Sequence, residues 1–203
     1  MNKHTEIRFE EAIEDFLINS AGYSKGDPFA YDIEKALFPA DVVGFVAETQ
    51  PSKWNALKKI LNDRAEETLI HDLTKELSLK GALHVLRHGF KSFGKPFRLA
   101  FFTPNSNLNQ QAWADYEKNR LTVTRQLHFS PKNPNLSLDV VISLNGLPVV
   151  TLELKNPMTG QTIENAIHQY KFDRQPSDPI FVFKERALVH FAVDTDAVFM
   201  TTR

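Results

Sequence analysis

The stretch from Leu138 to Lys155, LDVVISLNGLPVVTLELK, constrains this chain more than any other. Two runs rich in Val, Ile and Leu, 136–144 and 147–155, meet at Asn145-Gly146. Asn-Gly is the pair that most readily takes φ > 0 at both central positions of a hairpin turn. Side chains alternate along a strand. Leu138, Val140, Ile142 and Leu144 therefore share one face, and Asp139, Val141 and Ser143 the other. On the second run Val150, Leu152 and Leu154 oppose Thr151, Glu153 and Lys155. One face of the hairpin belongs in a core, while the other gathers Asp139, Glu153 and Lys155.

Register decides whether those three meet. A strict two-residue turn pairs Leu144 with Leu147, so that paired numbers sum to 291, and it sends Asp139 and Glu153 to opposite faces. A shift of one residue inverts every side chain. A three-residue loop or a glycine-led bulge restores an even sum and agrees with the aliphatic partition, so we expect one of these at the turn. A plain two-residue turn would contradict the site.

The remaining pattern surrounds this hairpin with helices and strands. Ile7, Phe9, Ile13, Phe16 and Leu17 recur at helical spacing over Thr5–Asn19, with Thr5 placed as an N-cap. Between Asp32 and Gly81 the period stays helical, broken at Pro39 and Pro51, and Leu69, Ile70, Leu73 and Leu77 form the clearest stripe. Ala82–Phe90 adds a further turn or two of helix. Phe97–Thr103 reads as a buried strand and Leu121–Phe129 as an alternating one. Thr162–Arg174 returns to helix, with Ile163, Ala166, Ile167 and Tyr170 apolar, and strands follow at Ala187–Val193 and Ala197–Thr201. The order predicts an α/β or α+β architecture with helices inserted near its start. The last residues to Arg203 are strand-like without a closing cap, so we expect a fragment of a longer chain.

Composition removes several function classes. The chain has 203 residues and no cysteine, which excludes disulfides, thiolate nucleophiles and Cys-ligated zinc. No apolar run approaches the roughly 20 residues needed to span a bilayer, and the charged start is no signal peptide. A cytoplasmic protein with no membrane partner is expected. The formal net charge of −1 argues against a nucleic-acid coat protein. Residues 1–80 carry 15 acidic and 10 basic side chains, and residues 81–203 carry 10 and 14, so the later part is the better polyanion face. His84 and His88 have a spacing that can ligate metal, but with no Glu-x-x-His pattern beside them they read as surface or packing residues.

Two carboxylates and a lysine on one strand face suggest a site for a hard cation. Mg²⁺ takes oxygen ligands and binds through one or two carboxylates plus phosphate. Asp139, Glu153 and the backbone carbonyl of Leu154 are candidate ligands. Lys155 would orient or deprotonate a water, or stabilise charge developing at phosphorus. The bland alternative is an exposed surface ion pair, which is worth little.

These residues resemble the PD-(D/E)xK nuclease superfamily, and more closely the N-terminal region of the type I restriction endonuclease R (HsdR) subunit. The resemblance rests on Asp139 with Glu153-Leu-Lys155, on Asn145-Gly-Leu-Pro148, on Leu152-Glu-Leu-Lys-Asn156 and on Glu164-Asn-Ala-Ile-His-Gln-Tyr170. Glu6 to Ile13 and Arg125-Gln126 extend it upstream. It implies a three-layer restriction-endonuclease-like core with a central mixed β-sheet flanked by helices. The sheet core would span about 96–203 with helix 5–19, and a helical subdomain about 30–92. A motor domain would follow in the longer chain.

By the same resemblance Asp139 and Glu153 are the metal carboxylates and Lys155 the catalytic lysine, with Glu10 an acid near the metal or simply a solvated helix residue. Gln169 matches the glutamine of a QxxxY motif. The chain departs from that motif, with Asp173 at the tyrosine position and Tyr170 beside the glutamine, which leaves Tyr170 open between DNA contact and core packing. Leu138 stands where the superfamily has its proline. Lys171 and Arg174, and also Lys91, Lys95 and Arg98, are candidate phosphate contacts. The implied function is Mg²⁺-dependent cleavage of double-stranded DNA alongside methyltransferase and specificity subunits. ATP would serve the full-length subunit, since this stretch has no Gly-rich phosphate loop. The rivals are a catalytically silent docking module and a standalone structure-specific nuclease.

Overall fold

The hairpin is the centre of a six-stranded sheet. In the computed structural model, which describes residues 3–156 and 160–202, the chain opens with α1 (Lys3–Ala21) and β1 (Ser24–Lys25). Four helices follow: α2 (Pro39–Thr49), α3 (Pro51–Leu61), α4 (Ala65–Lys80) and α5 (Ala82–His88). A small hairpin of β2 (Phe90–Ser92) and β3 (Lys95–Phe97) leads to α6 (Gln110–Glu117). Then come β4 (Leu121–His128), β5 (Ser137–Leu144), β6 (Leu147–Leu154), α7 (Ile163–His168), β7 (Val189–Val193) and β8 (Val198–Thr201). The large sheet has the order β1-β4-β5-β6-β7-β8, parallel at β1/β4 and β6/β7 and antiparallel elsewhere.

Helices cover both faces, as the expected α/β class requires. On one face Phe9, Ile13 and Leu17 of α1 pack against Val123, Val140, Leu152 and Leu154. On the other, Leu127, Leu138 and Val141 meet Phe38, Ile180 and Tyr170, while Ile163 and Ala166 of α7 sit on Ala192. The helices α2–α5 build their own apolar cluster around Leu57, Leu69, Leu73, Leu77 and Val85, which takes in Leu147 at the hairpin end. Among the described residues no helix is long and apolar enough to cross a membrane.

The turn corrects the expected register mechanism. Asn145 and Gly146 form a plain two-residue turn with φ of 51° and 87°, and Leu144 pairs with Leu147 and Ser143 with Pro148. The register then shifts, so that Ile142 pairs with Val150, Val141 with Thr151 and Val140 with Leu152. The even sum of 292 is reached inside the ladder, where Val149 is the extra residue, and not at the loop. Pro148 supplies the reason. It has no N–H to give to the ladder, and proline within sheets is confined to edges and bulges.

Phe97–Thr103 is a second correction, because strand pairing ends at Phe97. Leu99 and Ala100 are buried without a strand partner. Side-chain amides satisfy their backbone instead. Gln50 accepts from Arg98 N (2.7 Å) and donates to Arg98 O (2.9 Å), while Asn145 Nδ2 donates to Leu99 O (2.8 Å). Asn145 Oδ1 also accepts from Arg120 N (2.7 Å), so the turn residue ties the hairpin tip to two neighbouring segments.

Gly146 is fixed by contact as well as by conformation. Its carbonyl accepts from Phe38 N (2.9 Å), and a Cβ there would stand 2.7 Å from Phe38 O. Gly146→Ala combines a left-handed φ with a backbone clash. We expect it to lower unfolding free energy by at least about 2 kcal/mol, read by chemical denaturation.

Candidate active site

The strand that carries Asp139 loses its regular alternation at that residue. Gln126 stands opposite Asp139 in the β4/β5 register, between the pairs Arg125–Val140 and Leu127–Leu138, and has a left-handed φ of 50°. Beyond this kink Leu127 and Leu138 join Val141 in one cluster, whereas strict alternation would place Leu138 with Val140. Beside the kink the paired residues of β5 and β6 end at Val140–Leu152. Asp139 Oδ2 continues the connection by accepting from Leu154 N at 2.7 Å. One carboxylate is thereby fixed by backbone, while Oδ1, among the described residues, has a single 3.4 Å contact from Gln126 Nε2.

Glu153 lies one residue before that amide and is 1 % exposed. Arg174 Nε donates to its Oε1 at 2.9 Å, and Arg174 Nη2 makes a closer contact with the same oxygen. Among the described residues no hydrogen bond reaches Oε2. Burial, with the Asp139 charge second, pushes the Glu153 carboxyl up to about 8, against the pull of Arg174 and Lys155. Lys155 is 7 % exposed, its backbone N–H bonded to Val193 O (2.8 Å), and among the described residues no ion pair engages its amine. Asp139, Glu153 and Lys155 thus belong to one electrostatic unit.

Glu10 approaches from α1. It is 3 % exposed and accepts from Gln126 Nε2 (2.9 Å) and Arg125 Nε (3.2 Å). Desolvation raises its carboxyl above the ordinary range, and the Asp139 charge adds to this. Glu10 is therefore no solvated helix residue. It reaches Asp139 through Gln126, whose Oε1 accepts from Ser137 Oγ (3.0 Å). Among the described residues no three His, Asp or Glu side chains form a metal-holding group, so Glu10 does not complete a third carboxylate ligand. His84 and His88 stand with their rings 4.7 Å apart.

A family model for the type I restriction enzyme R protein N terminus matches residues 3–203, essentially the whole chain. The chain belongs to this family. No curated protein and no solved structure shows a significant match. In this R-protein N terminus, two of the three residues first expected to touch DNA turn inward. The Tyr170 hydroxyl shares a hydrogen bond with Thr151 Oγ1 (2.9 Å), which lies 2.8 Å from His190 Nδ1, and its ring packs on Phe181. Tyr170 is half-buried and packs against the cluster of Leu127, Leu138 and Val141. Arg174 is 7 % exposed and spends its fork on Glu153. Lys171 alone of the three is exposed. Lys91 and Lys95 sit on the separate β2/β3 sheet, with Arg98 just after it, away from the strands that carry the acids.

Gln169 begins a π-turn, Gln169–Asp173, that continues α7. Its carbonyl accepts from Arg174 N (3.0 Å), and its side-chain Oε1 is buried without a partner among the described residues. Sequence reasoning missed the structural roles of Gln126 and Arg174. Their partners are distant in sequence, Glu153 by 21 residues from Arg174 and Glu10 by 116 from Gln126, so no local pattern marked them.

The raised Glu153 carboxyl makes folding pH-dependent. Below its ordinary value of 4.5 the group is protonated in both states, and its stabilisation is present in full. Between 4.5 and about 8 the unfolded chain has lost a proton that the folded chain keeps, so stability falls as pH rises. Glu153→Gln cannot ionise and still accepts from Arg174. In cation-free buffer it is expected to melt near the wild type at pH 5 and above it at pH 8.5, as followed by circular dichroism.

Proposed function

We propose that this R-protein N terminus is the Mg²⁺-dependent endonuclease of an ATP-dependent type I restriction enzyme, hydrolysing phosphodiester bonds of double-stranded DNA. The observation that carries the reading is a deeply buried glutamate raised to about 8 beside an aspartate fixed by a strand amide and a buried lysine. Carboxyls perturbed by burial and by a neighbouring charge, and gathered with a cation, are the arrangement that acid–base and metal chemistry requires.

The donor set suits a hard divalent cation. Asp139 Oδ1, Glu153 Oε2 and the Leu154 carbonyl are all oxygen donors, and two carboxylates with remaining positions for water and phosphate match the habits of Mg²⁺. When bound, Mg²⁺ would supply Lewis acidity towards the phosphate oxygens and make a nearby water more acidic. Asp139 is held for this by the Leu154 amide, which prevents it from rotating away. Lys155 presents an ammonium that stabilises charge growing on the phosphate, or as the free amine accepts the proton of the attacking water. Glu10 and Gln126 add a third acid and an amide beside Asp139. Methyltransferase and specificity subunits would choose the DNA, and ATP would drive the rest of the machine.

Asp139→Ala, Glu153→Ala and Lys155→Ala in the full-length subunit are each expected to reduce DNA cleavage by at least about 10²-fold while ATP-driven translocation persists. Full cleavage by any of them defeats the assignment. Calorimetric titration with Mn²⁺ tests the cation directly. Uptake is expected in the wild type and not in Asp139→Ala. Affinity should climb as pH rises towards about 8, because Glu153 must release its proton to ligate. No uptake by the wild type favours the catalytically silent docking module instead.

A further inference from the structure

We infer that Arg174 is a positioning residue for this site, holding Glu153 by one oxygen so that the other is left for a divalent cation, and that it does not contact DNA. The inference rests on the proposed function and assigns the site a residue of its own.

The built geometry singles out Arg174. Two nitrogens of its fork, Nε and Nη2, converge on Glu153 Oε1, and Nη2 also donates to Ser137 O at 2.9 Å. The guanidinium lies 5.1 Å from the Phe129 ring centroid. Its backbone N–H closes the π-turn on Gln169 O. Glu153 of β6, Ser137 at the start of β5, Phe129 just past β4 and the π-turn therefore all fix this one side chain. A planar fork that stacks and pairs at once is a task for arginine, not lysine.

Helix geometry and the π-turn together bring the side chain there. Residues of an α-helix follow one another at about 100° around its axis, so a continuation of α7 sets position 174 about 20° from Ile163, on the side of Ile163, Ile167 and Tyr170. The π-turn, of a kind that recurs at functional sites, ends at Arg174 and adjusts the direction in which it leaves. Without its guanidinium no hydrogen bond among the described residues holds Glu153 Oε1, and the carboxylate can rotate away from the orientation that offers Oε2 to a cation.

The test is Mn²⁺ calorimetry at pH 7.5 on the wild type, Arg174→Met and Arg174→Lys, together with duplex DNA binding by fluorescence anisotropy across a range of salt concentrations. Arg174→Met is expected to lose about 10- to 100-fold in Mn²⁺ affinity, the usual effect of removing a residue that orients a ligand. Arg174→Lys, which keeps the charge and not the fork, should fall between the two. The salt dependence of DNA binding should be unchanged in both variants. Wild-type Mn²⁺ affinity in Arg174→Met overturns the inference. So does a decrease of about 0.9 in the slope of log affinity against log salt, which marks a lost phosphate contact. If Arg174→Met does not fold, undiminished Mn²⁺ affinity in Arg174→Lys overturns it equally. A wild type that takes up no Mn²⁺ removes the proposed function itself, a result separate from the other two.

Discussion

One extra residue, Val149, determines which side of the sheet the acids occupy. Pairing in a sheet is a parity rule, and a shift of one place exchanges the faces. Had the ladder run on from Leu144–Leu147 without a shift, Glu153 would have pointed into the apolar cluster under α1, among Phe9, Ile13 and Leu17, and Leu152 and Leu154 would have turned away from it. Stranding a carboxyl there costs several kcal/mol, whereas the bulge gives up about one ladder hydrogen bond, worth about 1 kcal/mol net. Pro148, at the edge of the shift, has no N–H to offer in any case. The larger penalty decides the register, and the turn residues need only close the loop.

The same register then creates an electrostatic conflict that the surrounding side chains contain without cancelling. Glu153 and Glu10 are both buried, both feel Asp139, and both are pushed towards the protonated form. Arg174 answers Glu153, while Arg125 and Gln126 answer Glu10. The compensation comes from opposite faces of the sheet, α1 on one side and the π-turn after α7 on the other. Asp139 lies between them, bonded to the backbone of the strand that carries Glu153. Glu153, raised to about 8, keeps a proton near neutral pH, and under the proposed function it would exchange that proton for a cation. That is the property the proposed chemistry needs.

Much of this was legible in the sequence because it is local. The hairpin, α1 and the helix beginning at Ile163 follow from periods of two and of about 3.6 within single segments, and the even register follows from the aliphatic partition alone. What was not legible depends on partners far along the chain. Arg174 looked like a surface cation because its carboxylate is 21 residues away, and Gln126 looked ordinary because Glu10 is 116 residues away. Residues 98–103 read as a strand because burial imitates one, yet their backbone is satisfied by amides from Gln50, Asn119 and Asn145. The helix α6 gave no signal, since it buries none of its residues. Pro148 was the one overlooked local clue, for a proline inside a run of strand residues marks where a ladder breaks.

The commitment of cations to internal partners bears on how such a site meets DNA. Arg125 is held among Glu10, Glu11 and Glu14, Arg174 on Glu153, Arg120 on Glu48 and Lys25 on Glu14. Phosphate affinity grows with the number of cations free to displace counterions. Here the arginines nearest the acids already serve them, and the formal net charge of the whole chain is −1. A site built this way would hold its own carboxylates well and a duplex poorly. Under the proposed function most of the grip on DNA must then come from outside these residues. Cleavage would depend on the duplex being delivered to the site, which is the coupling expected of a nuclease joined to a DNA-moving machine.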